Sequence, residues 1–151
     1  MAKVRLSKQA KEGLISKLDK YQKQAFDLMS KGDNVFISGE AGSGKSLLLT
    51  IFAACHDRKV LKVAPTGVAA LNINGVTIHS AFGYSNLLEA SHNDLIENGI
   101  VLSHAKKQLL KKVSTIIIDE ASMLRSDVFE KMDAVLRIVT KIDRPFGGKQ
   151  I

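Results

Sequence analysis

The chain has 151 residues and a formal net charge of +7, with 45% apolar and 5% aromatic residues. That length suits one globular domain, and the apolar share excludes a disordered chain. The sequence offers no apolar run near the ~18 residues of a membrane span, no signal-peptide core, and a single cysteine, Cys55, so no internal disulfide.

A lone cysteine fits a reducing compartment, so the protein is expected to be intracellular, cytoplasmic if the source is bacterial, with no membrane partner. Cys55 lies in an apolar run and reads as a small buried hydrophobe. The basic charge leaves two readings open, a polyanionic partner or an ordinary basic surface, since no stretch forms a Lys/Arg tail. The densest cluster, Lys106 to Lys112, reads as the end of an amphipathic helix with cations suited to its C-terminal dipole.

Residues 1–17 form an N-terminal extension with a short helical pattern from Ser7 to Leu18, weakened by Gly13. Asp19 opens a better helix, with Gln22 three residues on as a capping-box partner and Gly32 as the stop. Asn34-Val35-Phe36-Ile37-Ser38 reads as a strand, and Ser46 to Cys55 as a helix. Lys59 to Ala64 is a second strand ending at Pro65, and Thr66 to Leu71 turns into a short helix. Asn72 to Gly75 is a turn, and Val76-Thr77-Ile78-His79 a brief extended piece. Gly83 to Gly99 is polar and irregular. Ile116-Ile117-Ile118 is a third strand. Asp127 and Glu130 make a second capping-box candidate, opening a helix that carries Val128, Met132, Val135, Leu136 and Val139. Arg144 to Gly148 is a loop, and Lys149-Gln150-Ile151 the first step of a further strand. Apolar strands alternating with helices imply an α/β fold, a parallel sheet flanked by helices.

Between the first strand and its helix, Gly39-Glu40-Ala41-Gly42-Ser43-Gly44-Lys45-Ser46 completes the phosphate-loop pattern in the strand–loop–helix setting it requires. Its glycines allow a tight loop whose N–H groups face phosphate oxygens, and the helix start adds its positive end. Lys45 should reach the β- and γ-phosphates, and the Ser46 hydroxyl should ligate Mg²⁺. Asp119 and Glu120 follow the third strand, where open α/β sheets bind ligands. Asp119 would hold Mg²⁺ and Glu120 would activate water. A separate carboxylate base favours ATP hydrolysis over transfer to a metabolite.

Several stretches carry a more specific likeness. They are Gln22, Asn34 to Ser46, Ala64-Pro65-Thr66-Gly67-Val68-Ala69-Ala70, Gly75 to Phe82, Ile116 to Met123, and Phe146-Gly147-Gly148-Lys149-Gln150. In this order, over 18–151, the chain resembles the N-terminal part of motor domain 1A of Pif-type DNA helicases, in superfamily one, subgroup B. The resemblance implies a truncated RecA-like P-loop NTPase fold, with ATP and Mg²⁺ as cofactors. It implies 5′ to 3′ movement on single-stranded DNA, with DNA junctions as further partners of the intact protein. It also implies that Gln22 reads adenine, against the local reading of a helix cap, one residue serving only one of these well. Thr66 and Gly67 would touch the DNA backbone, against a capping role, and His79 would lie near the DNA path, against a structural one. Phe82 is core or a base-stacking platform.

The chain stops before the family's Gly-Asp-x-x-Gln segment and its second, arginine-bearing motor domain. A missing arginine finger costs about 10³–10⁵ in rate, so the chain alone is expected to hydrolyse ATP negligibly and to unwind nothing. The alternatives are a standalone nucleotide-binding or regulatory module, a non-helicase ATPase, or a kinase.

Overall fold

The computed structural model describes residues 6–56, 59–83 and 102–151. It divides into two compact units, Met1–Lys59 and Val60–Ile151. The irregular stretch expected from Gly83 to Gly99 lies, apart from Gly83, outside the described residues.

In the first unit, α1 (Lys8–Ile15) starts where the Ser7 hydroxyl accepts the Ala10 N–H at 3.2 Å. Helix α2 (Lys20–Lys31) opens with the expected capping box. The Gln22 N–H donates to Asp19 Oδ1 at 2.8 Å, and the Asp19 N–H donates to Gln22 Oε1 at 3.0 Å. Backbone donors that the helix itself cannot use are thereby satisfied. Gly32 ends the helix at φ +97°, a conformation that costs glycine little. Phe26 on α2 meets Phe52 on α3 (Lys45–Cys55) edge to face, with ring centroids 6.0 Å apart. Such a pair adds about 1 kcal/mol to the burial itself. Leu48, Ile51, Phe52 and Cys55 are buried on α3, so Cys55 takes the packing role expected of it.

The strand expected over Asn34–Ser38 is not formed. These residues join no strand pairing among the described residues, and Phe36 is 82% exposed. Val35, Phe36 and Ile37 are strand-favouring side chains, but a strand exists only where its N–H and C=O groups meet those of a neighbour.

The second unit is built on a parallel sheet of order β2-β1-β3, with β1 Val60–Ala64, β2 Val76–Thr77 and β3 Thr115–Ile118. Val63 lies opposite Val76 on one side and Ile118 on the other. Gln150 adds a parallel bridge to Thr115, the strand start expected at the end of the sequence. Parallel neighbours need crossovers, supplied by α4 (Gly67–Asn72) before β2 and by α5 (Ile78–Phe82) and α6 (His104–Lys112) before β3. Helix α7 (Ser126–Thr140) follows β3. Val128, Met132, Val135, Leu136 and Val139 recur at helical spacing along α7 and pack with Leu61, Val63 and Ile116 of the sheet. Phe82 and Leu110 complete this core, each fully buried.

Two local readings are corrected. Only Val76–Thr77 is extended, because the Thr77 hydroxyl accepts the Ser80 N–H at 3.1 Å and turns the chain into α5. His79 is therefore helical. Helix α7 begins after Arg125 with no side-chain cap, not with an Asp127–Glu130 capping box. The Arg125 guanidinium grips Asp127 through Nε at 3.0 Å and Nη2 at 3.2 Å, and this hydrogen-bonded fork holds the carboxyl below its usual range.

The C-terminal turn is tied to α6 and α7. Gly147 has φ +61°, and a Cβ there would stand 2.7 Å from the Leu136 carbonyl oxygen. Asp133 accepts the Phe146 N–H at 2.5 Å and the Arg137 Nε–H at 2.8 Å. Buried Lys149 donates to the Val113 carbonyl at 2.5 Å, at the end of α6, where a cation suits the dipole. Burial nevertheless pushes its ammonium below the ordinary value of 10.5. The folded state then binds fewer protons than the unfolded one between the two pKa values, so stability rises with pH across that window. Denaturant titrations from pH 8 to 10.5 should show wild type gaining stability relative to Lys149→Met as pH rises. Parallel curves would contradict this.

Candidate nucleotide and DNA site

The phosphate loop lies wholly in the first unit. Gly42 and Gly44 adopt φ +80° and +78°, which folds 39–46 into a tight turn before α3. The Ser43 N–H closes the turn onto the Glu40 carbonyl at 3.2 Å. Lys45 is the first residue of α3, so the unpaired N–H groups and positive dipole end of this helix sit at the loop. The Lys45 ammonium donates to the carbonyls of Gly39 and Glu40, both at 2.8 Å. It is thereby held against the loop it would serve. Ser46 is exposed in the first turn of α3. Left-handed glycines, a helix start and a tethered lysine fit a polyphosphate, and an exposed hydroxyl beside them fits a hard cation, which takes oxygen ligands.

Gln22 also reaches this loop. Its Nε2 donates to the Ser43 carbonyl at 3.1 Å while its Oε1 serves the α2 cap. Of the two readings weighed for Gln22, the structure shows the helix cap formed by its oxygen, while the nitrogen of the same amide is left to bond the loop.

In the second unit the strands run parallel, so their carboxyl ends share one edge. Asp119 leaves β3 there, and its N–H extends the ladder to the Val63 carbonyl at 3.0 Å. Glu120 follows at φ +52°, ψ +45°, a left-handed conformation uncommon outside glycine. A short 3₁₀ turn over Ala121–Met123 begins from it. Asp119 is partly buried and Glu120 exposed.

Thr66 and Gly67 follow β1 at the same edge. The Thr66 hydroxyl accepts the Ala69 N–H at 3.2 Å and so caps α4, the local role weighed against DNA contact. His79 follows β2 on α5 and is exposed. Phe82 is fully buried and belongs to the core. The structure thus gathers Gln22 with 39–46 in one unit, and Thr66, Gly67, His79, Asp119 and Glu120 at one sheet edge in the other. The grip of Gln22 on Ser43 is missed by the sequence, because the two residues are 21 positions apart and no pattern links them.

A family model described as PIF1-like helicase matches residues 17–151. Uncharacterized protein 030L of Invertebrate iridescent virus 6 is 37% identical over 141 residues, covering 89% of this chain and 26% of that protein. The ATP-dependent DNA helicase Pif1 of Psychrobacter sp. (strain PRwf-1) is 37% identical over 135 residues, 86% of this chain and 20% of that protein. The crystal structure of Pif1 helicase from Bacteroides in complex with ADP-AlF3 and ssDNA superposes with a TM-score of 0.75 at 36% identity, covering 88% of this chain and 30% of that one. The chain therefore spans between a fifth and a third of each of these three proteins. A match over nearly the whole chain, in sequence and in fold, makes it a member of the PIF1-like helicase family.

Proposed function

We infer that this chain is the ATP-binding part of a 5′ to 3′ DNA helicase, which couples ATP hydrolysis to movement along single-stranded DNA and to duplex unwinding. The observation that carries the reading is the complete phosphate loop, in its turn before α3 with Lys45 tethered at its carbonyls. The named activity of the Psychrobacter relative, and the nucleotide and ssDNA bound by the Bacteroides one, support it.

Lys45 binds the β- and γ-phosphates, and the backbone of 39–44 cradles them. Ser46 and Asp119 would hold Mg²⁺. When bound, Mg²⁺ neutralises charge that develops on the phosphates. Glu120 orients the attacking water and takes its proton, with its backbone fixed by the left-handed turn. The Gln22 amide retains one lone pair and one N–H beyond its cap and loop bonds, enough for an adenine edge. Thr66, Gly67 and His79 contact the sugar–phosphate backbone of a single strand. Such contacts position DNA and carry no sequence information. DNA junctions are further substrates of the longer protein.

Thr66→Asp tests the DNA side. Aspartate caps helices as well as threonine does, so α4 should persist. Its charge opposes phosphate, and single-strand affinity should fall roughly tenfold at low salt, with nucleotide affinity unchanged. Fluorescence anisotropy over a salt series reads this. Equal DNA affinity for both proteins would remove Thr66 from the DNA path.

A further inference from the structure

The Gln22 amide is held from two sides. Its Oε1 faces the Asp19 N–H at 3.0 Å and its Nε2 the Ser43 carbonyl at 3.1 Å. Oxygen and nitrogen of a carboxamide are told apart by their partners. Here a donor faces one atom and an acceptor the other, so only one orientation satisfies both. Gly44 gives a second observation. A Cβ built on it would stand 2.4 Å from Gln22 Nε2, so the amide fills the space beside this glycine. The peptide joining Ser43 to Gly44 is planar and trans, so its carbonyl and N–H point in opposite directions. Holding the Ser43 carbonyl on Gln22 therefore aims the Gly44 N–H away from it.

We propose that Gln22 is a positioning residue for the phosphate cradle, holding the Ser43–Gly44 peptide so that the Gly44 N–H serves a polyphosphate whatever base is attached. This rests on the reading that the loop binds the phosphates of ATP, and goes beyond adenine contact. A residue that only reads adenine is indifferent to a ligand without a base. A residue that sets the cradle weakens every polyphosphate when it is lost. Asp19 contributes through its backbone N–H, which orients the amide and survives side-chain replacement.

The test is calorimetric titration of Mg–tripolyphosphate, Mg–ATP and Mg–GTP into wild type, Gln22→Met and Asp19→Ala. Methionine is of similar length, neutral, and lacks the amide's donor and acceptor. Asp19→Ala weakens the α2 cap but spares the bond to Ser43. Gln22→Met is expected to weaken all three ligands, tripolyphosphate included, by about three- to tenfold, the worth of one neutral hydrogen bond. Asp19→Ala should lower the melting temperature yet keep tripolyphosphate affinity within about twofold of wild type. Unchanged tripolyphosphate affinity in Gln22→Met would overturn the proposal, even if ATP affinity fell. So would an equal loss in both variants, which would make the effect one of helix stability. A wild-type chain that binds none of the three would overturn the nucleotide reading itself, and the inference with it.

Discussion

Lys45→Ala is expected to weaken Mg–ATP binding roughly a hundredfold or more while leaving the fold intact. Each charge-assisted hydrogen bond to phosphate is worth about 1.5–3 kcal/mol, and two are lost, so about 3–6 kcal/mol disappears. The fold has little stake in this side chain. The Lys45 ammonium bonds the carbonyls of Gly39 and Glu40 and the Ser43 hydroxyl, all within the loop. A cation at a helix N-terminus also opposes the dipole, so its removal spares α3. Calorimetry should show the lost affinity beside an unchanged far-ultraviolet circular dichroism spectrum. Affinity within about threefold of wild type would show that the ammonium does not meet phosphate.

Phe82→Ala is expected to destabilise the second unit by about 3–5 kcal/mol, the usual cost of emptying a buried phenylalanine site. Phe82 is fully buried among Leu61, Val63, Leu110 and Met132. Total stabilities run about 5–15 kcal/mol, so this one change removes a large part. Since α5 also carries His79, DNA binding should fall as a consequence of unfolding. Phe82→Leu refills most of the volume and should cost less than about 1.5 kcal/mol. Urea denaturation of the three proteins separates these values. A stable Phe82→Ala protein with weakened DNA binding would instead make the ring a stacking platform.

The features that sequence reveals here are those governed by local rules. Asp19, Gln22 and Gly32 delimit α2 because caps act within four residues. The loop from Gly39 to Ser46 is legible because phosphate binding needs those residue types at that spacing. The sheet is legible as parallel because its strands alternate with helices. Misreadings occur where a distant or competing partner decides. Asn34–Ser38 has the composition of a strand, but pairing is non-local. Val76–His79 looks extended until the Thr77 hydroxyl turns it, and a threonine suits a strand as well as a cap. Asp127 reads as the opening of a capping box, but its carboxylate is forked by the Arg125 guanidinium and no capping box forms. No local pattern shows that Lys149 and Gln150, at the expected strand start, are both buried. They are satisfied by the Val113 carbonyl and the Thr115 hydroxyl, more than thirty positions away.

The proposed function assigns Ser46 and Asp119 to one Mg²⁺, and a double-mutant cycle on Mg–ATP affinity tests that assignment most directly. Ser46→Ala, Asp119→Asn and the double variant would be titrated with ATP in the presence and absence of Mg²⁺. Two ligands of one ion are coupled, so the double variant should lose clearly less than the sum of the single losses, by about 0.5–3 kcal/mol. That shortfall should vanish without Mg²⁺. Additive losses, or losses that persist unchanged without the metal, would contradict a shared Mg²⁺ site and the ATP-driven motor built on it.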